Sequence, residues 1–279
     1  MTTPGQNTAA AALIDTAGTR HAPAAAPRIV SLVPSLTELL CDLGLAPQLV
    51  GRTGFCVHPR AIVRRIAKVG GTKDVDIARI RALAPTHLIV NIDENEKPTV
   101  DELARFIPHV IVTHPLAPRD NLDLYRLFGG IFNCSARAEA LCREFEQAFD
   151  AVAGACRHLP RQNVLYLIWR SPWMTVSRDT YISRTLALAG WDTLPAAAEA
   201  RYPRLELDPA LLTSVHHVLL SSEPYRFRAR DVAALQKLVP TTTHTRARLI
   251  DGAMISWYGS RAIQGLAYLR HFRLASQAA

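Results

Sequence analysis

The sequence predicts an α/β protein of two lobes, each built on a parallel sheet with helices on its faces. Short β-branched segments alternate with helical segments over residues 28–113, and the same alternation restarts after Pro160. Between these two regions, residues 135–158 show one long helical pattern. Repeated strand–helix alternation is typical of parallel sheets that are covered by helices. We therefore expect two similar lobes, joined by one long rigid helix, with a ligand cleft between them.

The N-terminal lobe is expected over residues 28–118. Ser35 followed by Glu38 predicts a capping box that opens a helix to about Gly44. Runs of apolar and β-branched residues predict the strands, and the spacing of apolar residues predicts two further helices. The predicted strands are Arg28–Leu32, Leu49–Gly51, His87–Asn91 and Val110–Thr113, and the helices are 76–84 and 99–106.

A connecting helical segment is expected over residues 119–159, followed by a C-terminal lobe over 160–279. Apolar residues from Ala138 to Cys156 recur at helical spacing for more than twenty residues. Such a helix is roughly 35 Å long. In the second lobe, the predicted strands are Val164–Ile168, His217–Leu220 and Leu249–Ile250, and the helices are Thr180–Ala189, Ala229–Leu238 and 260–273.

Residues 1–27 are rich in Ala, Thr and Pro, and they predict a disordered tail. Asp15 and Arg20 interrupt any apolar run, so the segment does not have the pattern of a secretory signal. We expect a cytoplasmic protein from the sequence as it stands, and a periplasmic one if the true start lies upstream.

The composition limits the classes of function. The net charge is +8, but Arg and Lys are spread along the chain, which favours a solvated surface over a nucleic-acid interface. No apolar run is long enough for a membrane span. The enzyme motifs GxSxG, HExxH, GxxxxGKS and GxGxxG are missing from the sequence. We therefore expect a monomer that is not an enzyme and has no catalytic cofactor.

The five cysteines form no CxxC pair, and their odd number favours free thiols in a reducing compartment. Cys142 and Cys156 lie at helical spacing among apolar residues and are expected to be small buried hydrophobes.

In this order of segments, the chain resembles the helical-backbone class of periplasmic binding proteins, whose lobes are Rossmann-like. The resemblance runs from about Arg28 to Phe272, and it is nearest to the cobalamin-binding receptors of vitamin B12 ABC importers. It implies a non-catalytic protein that binds a cobamide, haem or ferric siderophore, with an aromatic contact at Phe55. The segments that carry it are RIVSLVPSLTELLCDLG, LVGRTGFCVHP, KVGGTKDVDIARIRALAPTHLIV, VLYLIWRSPWMTV and SRAIQGLAYL.

Two features depart from this family. Its members are exported, and its cobalamin receptors use one acidic residue on each lobe to contact an ABC permease. Those positions fall near Ala78 and Pro209, which cannot form ion pairs, although Glu206 lies three residues from the second. A cytosolic carrier or sensor for the same ligands, or an enzyme that acts on a metal chelate, therefore stays open as an alternative.

The candidate ligand site follows from a rule for parallel α/β sheets, in which ligands bind outside the carboxyl ends of the strands. Aromatic rings and arginines are concentrated in the predicted strand-end loops, and together they suit a large, flat, partly anionic ligand. The flanking arginines include Arg52, Arg226 and Arg261, whereas Trp191 is expected in the core. The predicted ligand-binding residues are Phe55, Trp169, Arg170, Trp173, Tyr225, Trp257 and Tyr258.

A metal site is also predicted in the loop FCVHP, where Cys56 and His58 stand two residues apart. A thiolate and an imidazole can bind haem iron, cobalt or a bare transition ion. Glu94 or His114 is the expected third ligand. The alternative is an ordinary loop cysteine and a surface histidine. His216 and His217 begin a strand, at the end away from the cleft, and are expected to be structural.

Overall fold

The structure is a computed structural model that describes residues 13–277. The chain divides into two compact units. Unit 1 contains the residues up to His114 together with Arg126–Ala138, and unit 2 contains Pro115–Tyr125 together with the residues from Glu139 onward. The expected connecting segment, residues 119–159, is thus shared between the two units.

Unit 1 contains a five-stranded parallel sheet in the order β3-β2-β1-β4-β5. All five residues of the inner strand β4 are buried, so helices cover both of its faces. The elements in chain order are β1 (Ile29–Ser31), α1 (Pro34–Asp42), β2 (Leu49–Arg52), α2 (Arg60–Val63), β3 (Ala67–Lys68), α3 (Ile77–Ala82), β4 (His87–Asn91), α4 (Lys97–Ala104) and β5 (His109–Thr113).

Two helices follow, and each contains a point at which the chain passes from one unit to the other. They are α5 (Asp120–Ile131), divided after Tyr125, and α6 (Ser135–Cys156), divided after Ala138. The long helix expected over residues 135–158 is α6. Cys142 and Cys156 are buried in it, as its apolar spacing predicts.

Unit 2 contains a four-stranded parallel sheet in the order β11-β10-β6-β8 and a small antiparallel pair, β7 with β9. The elements are β6 (Gln162–Leu167), β7 (Trp173–Met174), α7 (Tyr181–Leu188), β8 (Trp191–Thr193), β9 (Arg204–Leu205), α8 (Pro209–Ser214), β10 (His217–Ser221), α9 (Ala229–Gln236), β11 (Arg246–Ile250), α10 (Gly252–Ser256) and α11 (Arg261–Ala275). The predicted α/β fold of two lobes with parallel sheets is confirmed. Among residues 13–277, no helix is both long and apolar enough to cross a membrane.

The capping box expected at Ser35 and Glu38 is wrong. Helix α1 begins one residue earlier, at Pro34, and its N-cap is Val33, whose side chain makes no capping hydrogen bond. Proline at the first helical position has no N–H to be satisfied, so it starts the helix without a polar cap. Ser35 therefore lies inside the first turn and is buried.

The prediction of a disordered tail is also wrong for residues 13–27, whereas residues 1–12 lie outside the part of the chain that the structure describes. The Asp15 carboxylate is buried and accepts hydrogen bonds from the backbone N–H groups of Ala17, Thr19 and Val112. Ala24 is bonded through its backbone N–H to the Ile131 carbonyl at 2.7 Å. Composition predicted disorder because alanine and proline carry little apolar area. The segment is held instead by hydrogen bonds with backbone groups, some of them made by the Asp15 side chain, which composition does not reveal.

Candidate functional site

In the unit 2 sheet, the strand order reverses between β6 and β10. The chain pairs β8 on one side of β6 and later pairs β10 on the other side. In open parallel sheets, the two loops at such a point diverge and leave a ligand-binding crevice at the carboxyl ends of the strands. Trp169, Arg170 and Trp173 follow β6, and Tyr225 follows β10. Four of the predicted site residues thus lie in the two segments that border this point, and one of them, Trp173, begins the short strand β7.

The rings at this point form one group, which we call the aromatic cluster: Trp169, Trp173, Tyr225 and Phe227. The Trp169 and Tyr225 rings meet edge to face with centroids 5.6 Å apart. The ring centroids of Tyr225 and Phe227 are 4.6 Å apart. The Trp173 ring is parallel to the Phe227 ring, with centroids 6.1 Å apart. Trp169 is 41% exposed and Phe227 is 3% exposed. The cluster therefore extends from the core to solvent, which gives its outer rings a rigid support.

Phe227 was not among the predicted site residues, although it follows Tyr225 by only two positions. Alternating aromatic residues at the end of a strand were the signal available for it. One face of Trp173 packs against the buried Phe227 ring, and Trp173 also borders an apolar core cluster of unit 2, so it is partly a core residue.

Arg170 is held by the protein's own carboxylate. Its Nη1 atom donates to Asp231 Oδ1 at 2.5 Å, and its guanidinium lies 5.6 Å from the centre of the Trp173 ring. The buried Asp231 carboxylate also accepts from the Arg228 N–H at the start of α9. Part of the charge expected to bind an anionic ligand is thus balanced internally.

Arg52 was expected to flank the site, but it lies in the interior of unit 1. Its guanidinium is buried and donates to the carbonyl oxygens of Val63 and Thr53 at 3.0 and 2.9 Å. An arginine whose donors are used by backbone carbonyls is a structural connection between segments.

Trp257 and Tyr258 follow α10 and have different environments. The half-buried Trp257 donates from Nε1 to Glu223 Oε1 at 2.6 Å, and the Arg261 guanidinium lies 5.0 Å from its ring centre. Tyr258 is buried, with its ring 5.9 Å from that of Tyr181. Tyr258 therefore does not offer the exposed stacking face expected of it. Glu223 was not predicted as a site residue, because its contact with Trp257 spans 34 positions.

On unit 1, the predicted metal-binding loop separates its two ligands. Phe55 is 63% exposed and His58 is exposed, whereas Cys56 between them is fully buried. The Cys56 sulfur lies 3.1 Å from Thr37 Oγ1 and 3.2 Å from Thr53 Oγ1. Burial raises the pKa of the Cys56 thiol, which opposes formation of the thiolate that metals require.

The expected third ligands do not complete a site with them. Glu94 follows β4 and is half-buried, and His114 lies 3.3 Å from the Asp93 carboxylate. Among residues 13–277, no three His, Cys, Asp or Glu side chains are grouped so as to hold a metal ion. The Cys56–His58–Glu94 site therefore stays a prediction, which the burial of Cys56 beside the exposed His58 does not favour.

Trp191 and His217 lie at the opposite end of the unit 2 sheet. Trp191 is fully buried, and its Nε1 atom donates to Gln162 Oε1 at 3.1 Å. The ring centroids of Trp191 and His217 are 5.7 Å apart. Burial, followed by the charges of Arg248 and Arg273, lowers the pKa of His217 to about 4. Both residues are part of the core, in agreement with the structural roles expected from the sequence.

The chain is similar in sequence to known binding proteins. The periplasmic binding protein family matches residues 29–210 of the chain. A vitamin B12-binding protein of Vibrio vulnificus (strain CMCP6) is 21% identical over 185 residues, which cover 66% of this chain and 67% of that protein.

Solved structures show the same fold. The periplasmic vitamin B12 binding protein BtuF of Vibrio cholerae is 15% identical with a TM-score of 0.77, over 91% of this chain and 98% of its own. The periplasmic heme-binding protein RhuT from Roseiflexus sp. RS-1 is 21% identical with a TM-score of 0.75, over 90% of this chain and 99% of its own. At these identities, the likeness establishes the fold.

Proposed function

Because the chain belongs to the periplasmic binding protein family, we propose that it is a non-catalytic receptor for a large, flat metal chelate: a cobamide, a haem or a ferric siderophore. The observation that carries the proposal is the aromatic cluster at the point where the unit 2 strand order reverses. An exposed aromatic ring that is held in place by buried rings suits stacking against an extended ring system. Relatives named for vitamin B12 and structures named for heme supply the ligand class.

The test is titration of the purified protein with cyanocobalamin, hemin and a ferric siderophore, followed by absorption spectroscopy. We expect saturable binding of at least one of them. Trp169→Ala should weaken that binding by about 1–3 kcal/mol, the usual cost of removing an aromatic anchor. Leu238→Ala is the matched control, since Leu238 is an exposed apolar residue of unit 2 outside the cluster. Failure of all three ligands to bind would refute the proposal.

We also propose that the receptor delivers its ligand to an ABC permease. Ala78 and Pro209, the expected docking positions, are exposed in the first turns of α3 and α8. Each of these helices is capped by an exposed aspartate, Asp76 or Asp208. These two carboxylates lie one or two residues from the expected positions and are proposed to replace the acidic pair. Glu206 is also exposed but caps no helix.

Substitution with asparagine separates docking from folding, because asparagine caps a helix about as well as aspartate does. The double variant Asp76→Asn with Asp208→Asn should keep its ligand affinity and thermal stability. It should lose the ability to stimulate transport by the reconstituted permease. Unchanged transport would exclude these two residues from docking.

A cytosolic carrier of the same ligands is the second candidate. It is favoured by the five cysteines, all of which are free thiols. Cell fractionation of the native strain distinguishes the two: recovery with periplasmic proteins supports the receptor, and recovery with cytosolic proteins supports the carrier.

A further inference from the structure

Glu223 lies beside the aromatic cluster, in the loop after β10, and its backbone is firmly held. Its N–H donates to Ser221 Oγ at 3.3 Å, and Ser221 Oγ donates to its carbonyl oxygen at 2.6 Å. Gly252 packs against it so closely that a Cβ there would lie 2.6 Å from Glu223 Cγ. The position of the carboxylate is therefore determined by the fold.

The two carboxylate oxygens of Glu223 have different surroundings. Oε1 accepts from Ser256 Oγ at 2.9 Å and from Trp257 Nε1 at 2.6 Å. Across residues 13–277, no hydrogen bond reaches Oε2, although the side chain is half-buried. Burial raises the pKa of Glu223, which reflects incomplete solvation of its charge. A carboxylate oxygen in such surroundings is stabilised by an additional donor.

The charges near this carboxylate indicate what kind of donor fits. Asp251, the N-cap of α10, adds a second negative charge near Glu223, and Arg261 adds a positive one. Arg170, whose guanidinium lies over the Trp173 ring, is already paired with Asp231. The charge of Arg170 is thus partly balanced before any ligand binds. A ligand carboxylate beside Glu223 would lower the binding affinity, because like charges repel.

We propose that Glu223 is a specificity-determining residue, which orients Trp257 through Oε1 and accepts through Oε2 a hydrogen bond from an N–H or O–H group of the ligand. The inference rests on the proposed function and narrows it. The preferred ligand is a ring chelate with neutral carboxamides at its edge, and a ring chelate with free carboxylates is disfavoured.

The test compares cyanocobalamin, which carries carboxamides, with hemin, which carries two propionates, in the wild type, Glu223→Gln and Glu146→Gln. Glutamine keeps one oxygen for Trp257 but can replace the open acceptor with an N–H donor. Hydrogen bonds to charged groups are worth about 1.5–3 kcal/mol, roughly 10–150-fold in affinity. Glu146 is an exposed glutamate of α6 and controls for loss of charge alone.

The wild type is expected to bind cyanocobalamin more tightly than hemin. Glu223→Gln should reduce this preference at least about tenfold, with an unchanged tryptophan emission spectrum, whereas Glu146→Gln should leave the preference unaltered. An unchanged ratio of the two affinities in Glu223→Gln overturns this inference alone, as does a wild type that prefers hemin. A wild type that binds neither ligand nor a ferric siderophore overturns the proposed function and the inference together.

Discussion

Asp15 accepts a hydrogen bond from the backbone N–H of Val112 at 3.0 Å, across 97 positions of the chain. Val112 lies in β5, the edge strand of the unit 1 sheet, and its carbonyl oxygen accepts in return from the Thr16 N–H at 3.1 Å. The other Asp15 contacts include His21 Nε2 at 3.1 Å. The N-terminal segment thus covers an edge whose backbone groups would otherwise be open to pairing with other chains.

Asp15→Asn is therefore expected to lower the free energy of unfolding of unit 1 by about 1–3 kcal/mol, because the amide turns a donor toward backbone N–H groups that need an acceptor. Chemical denaturation monitored by circular dichroism measures the change. Asp150→Asn, at an exposed position of α6, is the matched control and should leave stability unaltered. Equal stability of the two variants would show that the Asp15 hydrogen bonds contribute nothing to the stability of the fold.

His217 predicts how stability depends on pH. Its pKa falls from 6.5 to about 4 on folding, so the unfolded chain binds more protons between these pH values. Stability contributed by neutral His217 is complete above about pH 6.5 and is lost as the pH falls toward 4. His87, whose pKa burial also lowers to about 4, acts in the same direction in unit 1.

His217→Phe should raise the free energy of unfolding at pH 5 by about 1–2 kcal/mol, because the buried His217 ring must give up the proton that it carries in the unfolded chain at this pH, and phenylalanine has none to give up. The gain should shrink as the pH rises to 7. The measurement is a series of urea denaturation curves from pH 4.5 to 7.5. His216→Phe, at the exposed neighbouring position, should show no such pH-dependent gain.

The tryptophans should separate binding from stability. Trp191→Ala is expected to cost about 3–5 kcal/mol of stability, as removal of a fully buried large ring does, and to leave ligand affinity intact. Trp257→Ala should lower affinity by about 1–3 kcal/mol and stability less. Trp173→Ala should lower both, because this ring packs on Phe227. Paired melting and titration data test the pattern, and wild-type affinity in Trp257→Ala would remove that residue from the site.

Cys56 is expected to be unreactive in the folded protein, because it is fully buried and burial raises the pKa of its thiol. Iodoacetamide labelling followed by peptide mapping should modify Cys56 slowly under native conditions and rapidly in urea. The half-buried Cys134 provides an internal comparison. Rapid native labelling of Cys56, or a loss of bound metal chelate in Cys56→Ala, would support Cys56 as a metal ligand.

The sequence alone determined the alternation of elements. The strand predicted at His87–Asn91 is β4, and the helix predicted at 135–158 is α6, Ser135–Cys156. Both follow from periodicity within one segment, since a strand buried on two faces is continuously apolar and a helix repeats near every 3.6 residues. Short elements such as β7 and α10 were missed, because a few residues carry too little pattern.

The strand-end rule also identified the loops of the aromatic cluster from the sequence. It could not tell how each side chain in those loops is used, because that depends on partners distant in the chain. Asp231 neutralises Arg170 from 61 positions away, and Trp257 reaches Glu223 across 34. Cys56 points into the core although both of its neighbours are exposed. Direction and pairing of side chains are set when segments pack together, and so only the tertiary structure decided them.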